Sequence, residues 1–199
     1  MLFSFESFHI DGVPVGAIVR ELSDRTLTTV TCFQVPGGAL VHNESHIEFD
    51  QDAFGWTSSS YVEHGEDVRV DIARDNRFAR DCVPSYAEWM VIRRMLIDGQ
   101  AHQSFTTFDD GDFEAHPQAA ELSISSRPET VDKSGSPLPT AGRIVLKVNG
   151  EVRNRHWFVG TSLVASDWNG ARSYPETTLA HSLTGLDSTV RAILRRASV

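Results

Sequence analysis

The amino-acid sequence predicts a mainly β domain of the α+β kind, a curved antiparallel sheet of about eleven short strands gripping one buried central helix, with a helical C-terminal tail. Three observations lead there. Short runs rich in Val, Ile, Thr and Phe are separated by Asp-Gly, Pro-Gly-Gly and Asn-Gly turns. One central segment, Tyr86 to Ile97, is apolar around most of its circumference when wound as a helix. The chain has 199 residues, 40% of them hydrophobic, which suffices for one well-filled core, so residues 1–199 read as a single domain.

The elements follow in order. Phe3, Phe5, Phe8 and Ile10 set a near period-two pattern. Asp11-Gly12 then leads into Val13–Val19, a hairpin signal because a type I′ turn needs two positive φ angles. Pro14 has no N–H to give a ladder, which places this strand at an edge. Thr26–Val35 is strand-like in composition, and Pro36-Gly37-Gly38 turns the chain. Ala39–Phe49, Trp56–Glu63 and Val68–Ala73 complete an antiparallel meander of about six strands.

Ser85-Tyr86-Ala87-Glu88 has the spacing of a capping box, with Ser85 accepting from the Glu88 amide and Glu88 reaching back. Pro84 precedes it and Gly99 closes the helix. Between them Tyr86, Ala87, Trp89, Met90, Val91, Ile92, Met95, Leu96 and Ile97 are interrupted by Glu88, Arg93 and Arg94. Such a helix must be buried on more than one side.

Ala101–Phe108 and Phe113–Ser125 flank the acidic turn Asp109-Asp110-Gly111-Asp112, which lacks the spacing and closing Glu of a calcium loop. Residues 126–142, with Pro128, Gly135, Pro137 and Pro139, read as a long mobile surface loop. Asn149-Gly150 joins Arg143–Val148 to Glu151–Val159, and Asn169-Gly170 joins Thr161–Trp168 to Ala171–Tyr174. From Thr178 two short helices follow, split at Gly185, with Asp187 capping the second.

Composition removes several classes. With 27 acidic and 18 basic residues the net charge is −9, which disfavours a nucleic-acid partner. Lys133 and Lys147 are the two lysines, set in or beside a loop and a hairpin, so a Schiff-base mechanism has little to work with. Cys32 and Cys82 form no C-x-x-C pair and make no zinc site alone. A basic leader is missing, as is any apolar run of about 18 residues, so a cytoplasmic protein without membrane insertion is expected. No G-x-S-x-G elbow occurs, so Ser-His-Asp chemistry has no support. No G-x-G-x-x-G or P-loop motif occurs either, which disfavours nucleotide cofactors, and no cofactor is expected.

The order of elements carries a resemblance. Strands, then Val83-Pro84-Ser85-Tyr86-Ala87-Glu88-Trp89, an apolar helix, more strands, a proline-glycine loop, and the Arg155–Val164 hairpin follow one another. This resembles the lipoprotein-carrier half-barrel, the fold of lipoprotein localisation factors and related periplasmic proteins. The resemblance implies a half-barrel with a hydrophobic cavity between sheet and helix, and a cytoplasmic protein with that fold is an enzyme that works without a cofactor. Lipocalin-like barrels are the competing architecture.

One run stands out for chemistry: His42-Asn43-Glu44-Ser45-His46-Ile47-Glu48. On a strand His42, Glu44, His46 and Glu48 share a face, neighbours roughly 6.5–7 Å apart. These four are the candidate catalytic residues. A carboxylate beside an imidazole leaves it titrating near working pH as a general acid or base, provided the row faces a pocket. The same row could grip a metal, His42 with Glu44 or Glu44 with His46, taking a third ligand from His9 or His64. A solvated strand face is the plainer account of the alternation, which is what a half-exposed antiparallel strand should show.

Tyr61, Arg69, Tyr86, Trp89, Arg93 and Trp157, with Trp168, are the substrate-binding candidates, although aromatic side chains also serve as plain core. Arg69 and Asp71 share a face and can simply pair. His102 and His156 are lone strand histidines. The functional expectation is a cytoplasmic pocket protein acting on a small, largely apolar organic ligand, as a cofactor-independent lyase, isomerase or cyclase. A non-catalytic lipid or metabolite binder and a cupin-like metalloenzyme are the alternatives, and a homodimer is an admissible assembly.

Overall fold

The computed structural model describes residues 1–50, 52–66, 68–133, 135–140 and 142–197. In chain order the elements are β1 (Leu2–Ile10), β2 (Val13–Leu22), β3 (Thr26–Gln34), β4 (Leu40–Phe49), β5 (Trp56–Glu63), β6 (Val68–Ala73) and β7 (Cys82–Pro84). Helix α1 (Glu88–Asp98) follows, then β8 (His102–Phe108), β9 (Gln118–Ser125), β10 (Glu129–Lys133) and β11 (Ser136–Thr140). The last elements are β12 (Gly142–Val148), β13 (Glu151–Val159), β14 (Ser162–Trp168), β15 (Ala171–Glu176), α2 (Leu179–Ser182) and α3 (Ser188–Arg196).

Turn chemistry dictates much of this. Asp11/Gly12, Asn149/Gly150 and Asn169/Gly170 all have positive φ, the left-handed backbone that a type I′ turn requires, and each pair joins two antiparallel strands. Gly99 ends α1 at φ 66°, a conformation that costs a residue without a Cβ little.

Thirteen strands form one sheet in the order β6-β5-β4-β3-β2-β1-β15-β14-β13-β12-β9-β8-β7. Each pairing is antiparallel except β7 with β8. Because β1 pairs with β15, both ends of the chain meet in the middle of the sheet, and its two edges are β6 and β7. The sheet curves around α1. Val91, Ile92, Met95 and Leu96 of the helix share one core with Leu27, Ile47 and Trp56 from one arm and Leu122, Ile144 and Leu146 from the other.

The outer face is covered too. On β2, Ile18 and Arg20 face the cavity, whereas Ala17 and Val19 lie under α3 with Val30 and Cys32. This explains an unbroken buried run from Val15 to Arg20, which a one-sided strand would not show. Asp187 caps α3 by accepting from the Thr189 amide.

Several expectations are corrected. Among the described residues the strands number fifteen, where about eleven are expected. Segment 126–142 is not a structureless loop: β10 and β11 pair in a separate two-stranded sheet whose Val131 and Leu138 pack on Trp157, Ala165 and Tyr174. Positions 134 and 141 of that segment lie outside the described residues. Pro14 is not on an edge strand, since β2 lies between β1 and β3; the missing donor is accommodated where the β1–β2 register shifts beside His9. The capping box does not form. Ser85 and Glu88 are drawn into tertiary bonds, and Asp110 accepts from the Tyr86 amide in their stead. Among the described residues no helix is long and apolar enough to cross a membrane.

Candidate functional site

The space between α1 and the sheet is not completely filled. A cavity of about 350 Å³ is lined by Phe8, Ile18, Trp89, Ile92 and Trp168, and by the polar side chains of Glu6, Arg20, Glu88, Arg153 and His156. An apolar wall with a few convergent polar groups is the usual make-up of a small-molecule site.

Each polar group is held from a defined direction. Glu6 on β1 and Arg20 on β2 form an ion pair, both side chains 5% exposed. The other Glu6 oxygen accepts from Ser173 Oγ, which in turn accepts from Trp168 Nε1 at 2.9 Å. The Arg20 guanidinium also sits 5.6 Å from the centre of the Trp89 ring. Four strands (β1, β2, β14 and β15) and the helix are thereby locked around one wall.

Glu88 occupies the first turn of α1 and is buried. Burial pushes its carboxyl up to about 7, against the pull of Arg153 and of the Thr107 hydroxyl. Thr107 Oγ1 donates to Glu88 Oε1 at 2.7 Å, and Arg153 Nη1 lies 3.4 Å from the same oxygen. A carboxyl poised near neutrality can both give and take a proton.

His156 on β13 bonds Ser166 Oγ through Nδ1 at 2.8 Å, while its Nε2 is buried without a partner. Burial, with the nearby Arg20 charge, drives its pKa down to about 3, so the ring is neutral at pH 7. An orphaned nitrogen on a cavity wall offers a ligand one directed hydrogen bond. Tyr86 and Tyr61 line the same space, their rings 6.0 Å apart, and burial pushes the Tyr86 hydroxyl up to about 12 and Tyr61 higher still.

This fold has a solved counterpart. A beta-barrel-like protein of domain of unknown function DUF1849 from Brucella abortus matches with a TM-score of 0.52, covering 87% of this chain and 94% of its own at 12% sequence identity. At that identity the likeness is one of fold alone, and it supports the curved sheet. No protein-family model matches the chain, and no curated protein matches it in sequence.

The sequence-derived site residues separate into two groups. Tyr61, Tyr86, Trp89 and Trp168 do line the cavity. The His42–Glu48 row does not, because β4 turns Ser45 and Ile47 inward and therefore His46 and Glu48 outward. His46 bonds Thr28 Oγ1 at 3.0 Å and Glu48 accepts from Ser58 at 2.9 Å, both on the exposed face. His42 and Glu44 are on that face too, 3.0 Å apart.

Arg69 is exposed and paired with Asp71 at 2.8 Å. Arg93 lies over the Trp89 ring at 5.8 Å but is not among the cavity-lining residues. Trp157, next to His156 on a strand, necessarily points the opposite way, and donates to Glu129 Oε2 at 2.8 Å beneath the β10–β11 hairpin. His9 packs edge-on against Tyr174, far in the sheet from Glu44.

Sequence reasoning missed Glu6, Arg20, Glu88 and Arg153 as site residues. A signal for Glu88 was present, since a carboxylate in a helix apolar nearly all round has nowhere to go but inside. Glu6 and Arg20 gave none, each reading as an ordinary polar residue on a strand.

Proposed function

We propose that this chain is a pocket protein for a small, largely apolar organic molecule bearing one polar group, and that it acts on this molecule by acid–base chemistry without a cofactor, as a lyase or isomerase would. The observation that carries the reading is Glu88, a buried carboxyl titrating near 7 on the wall of the cavity. In this reading Glu88 moves the proton, Arg153 beside it steadies the charge left behind, and His156 Nε2 orients the polar end of the ligand. Trp89, Trp168, Phe8 and Ile18 hold the apolar part and confine its shape.

A second reading, a non-catalytic lipid or metabolite binder as the lipoprotein-carrier resemblance suggests, is favoured by the same apolar lining. A cytoplasmic setting belongs to the proposal as well, and two free, buried cysteines suit a reducing compartment.

Native mass spectrometry of the purified chain, searched for a co-purified small molecule, identifies the ligand class. Turnover of that molecule and its relatives is then assayed with Glu88→Gln. Lost turnover with retained binding supports the enzyme. Binding with no turnover by the wild type leaves the binder, and the failure of any small organic molecule to enter the cavity sinks both.

A further inference from the structure

The outer face of β4 carries a second constellation. The side chains of His42 and Glu44, two residues apart, project on one face of the strand. His64 follows the last residue of β5, and its amide donates to the His42 carbonyl at 2.8 Å, which fixes it beside His42 across the strand pair. The two imidazoles stack with centroids 4.0 Å apart and planes 15° from parallel.

Their Nε2 atoms converge on one carboxylate oxygen. Glu44 Oε1 lies 3.0 Å from His42 Nε2 and 3.1 Å from His64 Nε2. The three ligand atoms all lie within 4.8 Å of one another. Metal–nitrogen and metal–oxygen bonds near 2.1 Å place neighbouring donors on one ion roughly 3.0–3.5 Å apart, so the two contacts already have the right span.

A plain hydrogen-bonded triad accounts poorly for one atom. His42 Nε2 is buried, and its 3.0 Å contact with Glu44 Oε1 is poorly aligned for a hydrogen bond. The carboxylate is near enough but off the axis along which the ring nitrogen donates or accepts. That nitrogen is left with an unused direction beside two further ligand atoms. Two histidines and a carboxylate are also the donor set that zinc and other borderline divalent ions favour. Among the described residues no other group of three His, Cys, Asp or Glu comes together in this way.

We propose that His42, Glu44 and His64 bind a divalent transition-metal ion, Zn²⁺ in the first instance, on the outer face of the β4–β5 pair and apart from the α1 cavity. Glu44 and His64 are 44% exposed, so water completes the coordination. The ion clamps β4 to the turn that follows β5. This site is independent of the function proposed for the cavity.

The test is calorimetric titration of the full chain, freed of any tag and stripped with chelator, with ZnCl₂ near neutral pH, where imidazole is free to ligate. One ion per chain is expected. His64→Ala and Glu44→Gln each weaken binding by at least about tenfold, the low end of what even an outer-shell partner is worth. His46→Ala, on the same face but outside the triad, binds as the wild type does. Both triad positions are partly exposed, so the variants fold, which circular dichroism checks; with Co²⁺ in place of Zn²⁺, a visible absorption band of the wild type disappears in His64→Ala. No binding by the wild type, or binding that survives both triad substitutions, overturns the proposal.

Discussion

The Trp56 indole donates a 2.8 Å hydrogen bond from Nε1 to the carbonyl of Cys82, joining β5, one strand in from the β6 edge, to β7 at the other edge. Trp56 is buried against Phe78 and Phe108, its ring centre 5.1 Å and 5.2 Å from theirs, and Arg74 lies over it at 5.3 Å. β7, at one edge of the sheet, and β5, next to the other edge, are joined by no ladder and are thus held by side chains. Trp56→Phe keeps an aromatic ring but removes the donor and some volume. A loss of about 1–3 kcal/mol is expected, read as a lower urea midpoint with an unchanged slope.

Breaking the Glu6–Arg20 pair is expected to cost more. Arg20→Met leaves the Glu6 carboxylate buried with only Ser173 to bond it. Stranding a buried charge costs roughly 3–5 kcal/mol, whereas the double change Glu6→Gln with Arg20→Met removes the charge and recovers much of the loss. Equal midpoints for the single and double variants would sink this account.

Glu88 makes stability depend on pH in a known direction. Its carboxyl ordinarily titrates at 4.5 and in the fold at about 7. Below 4.5 both folded and unfolded chains are protonated and burial carries no charge penalty. From 4.5 to 7 the unfolded chain ionises first, so the fold loses stability as pH rises, by roughly 3 kcal/mol once the loss is complete. Glu88→Gln abolishes this decline. The melting temperature of the variant minus that of the wild type therefore grows between pH 4.5 and 7 and is flat above. His156 works oppositely, being shifted from 6.5 down to about 3, so it destabilises both proteins alike as pH falls below 6.5 and cancels in the difference.

His46 and Glu48 face solvent, and the cavity lies on the other side of the sheet. His46→Ala and Glu48→Ala are each expected to change stability by no more than about 0.5 kcal/mol. Ligand binding in the cavity, measured by the same native mass spectrometry, stays at the wild-type level. A loss of binding in either variant would return the row to the site.

The fold was legible where chemistry is local. Asp11-Gly12, Asn149-Gly150 and Asn169-Gly170 demanded left-handed backbone and received it, and Gly99 stopped α1 as the sequence required. Legibility failed where a distant group competed. Ser85 and Glu88 have capping-box spacing, yet Asp110 and Thr107, brought in by the strand that follows the helix, offer them better partners. Asp110 itself belongs to an acidic turn whose sequence gives it no partner, and it is buried with three donors around it. The candidate site was half legible for the same reason: Tyr61, Tyr86 and Trp89 are large enough that any enclosed helix must gather them, whereas Glu6 and Arg20 lie together only because β1 and β2 pair in one register.

By itself the sequence determined the class of the molecule, its turns, its enclosed helix and which residues share a strand face, because a period of two and the φ demands of Asx-Gly pairs are properties of the local chain. Only the tertiary structure decided which face looks inward. A strand sorts His42, Glu44, His46 and Glu48 from Ser45 and Ile47 but says nothing of the direction in which its sheet bends. Curvature around α1 made Ser45 and Ile47 the inner set, sent the histidine row outward and left Glu88 on a cavity wall, because burying the apolar helix takes more free energy from water than any single polar residue can oppose.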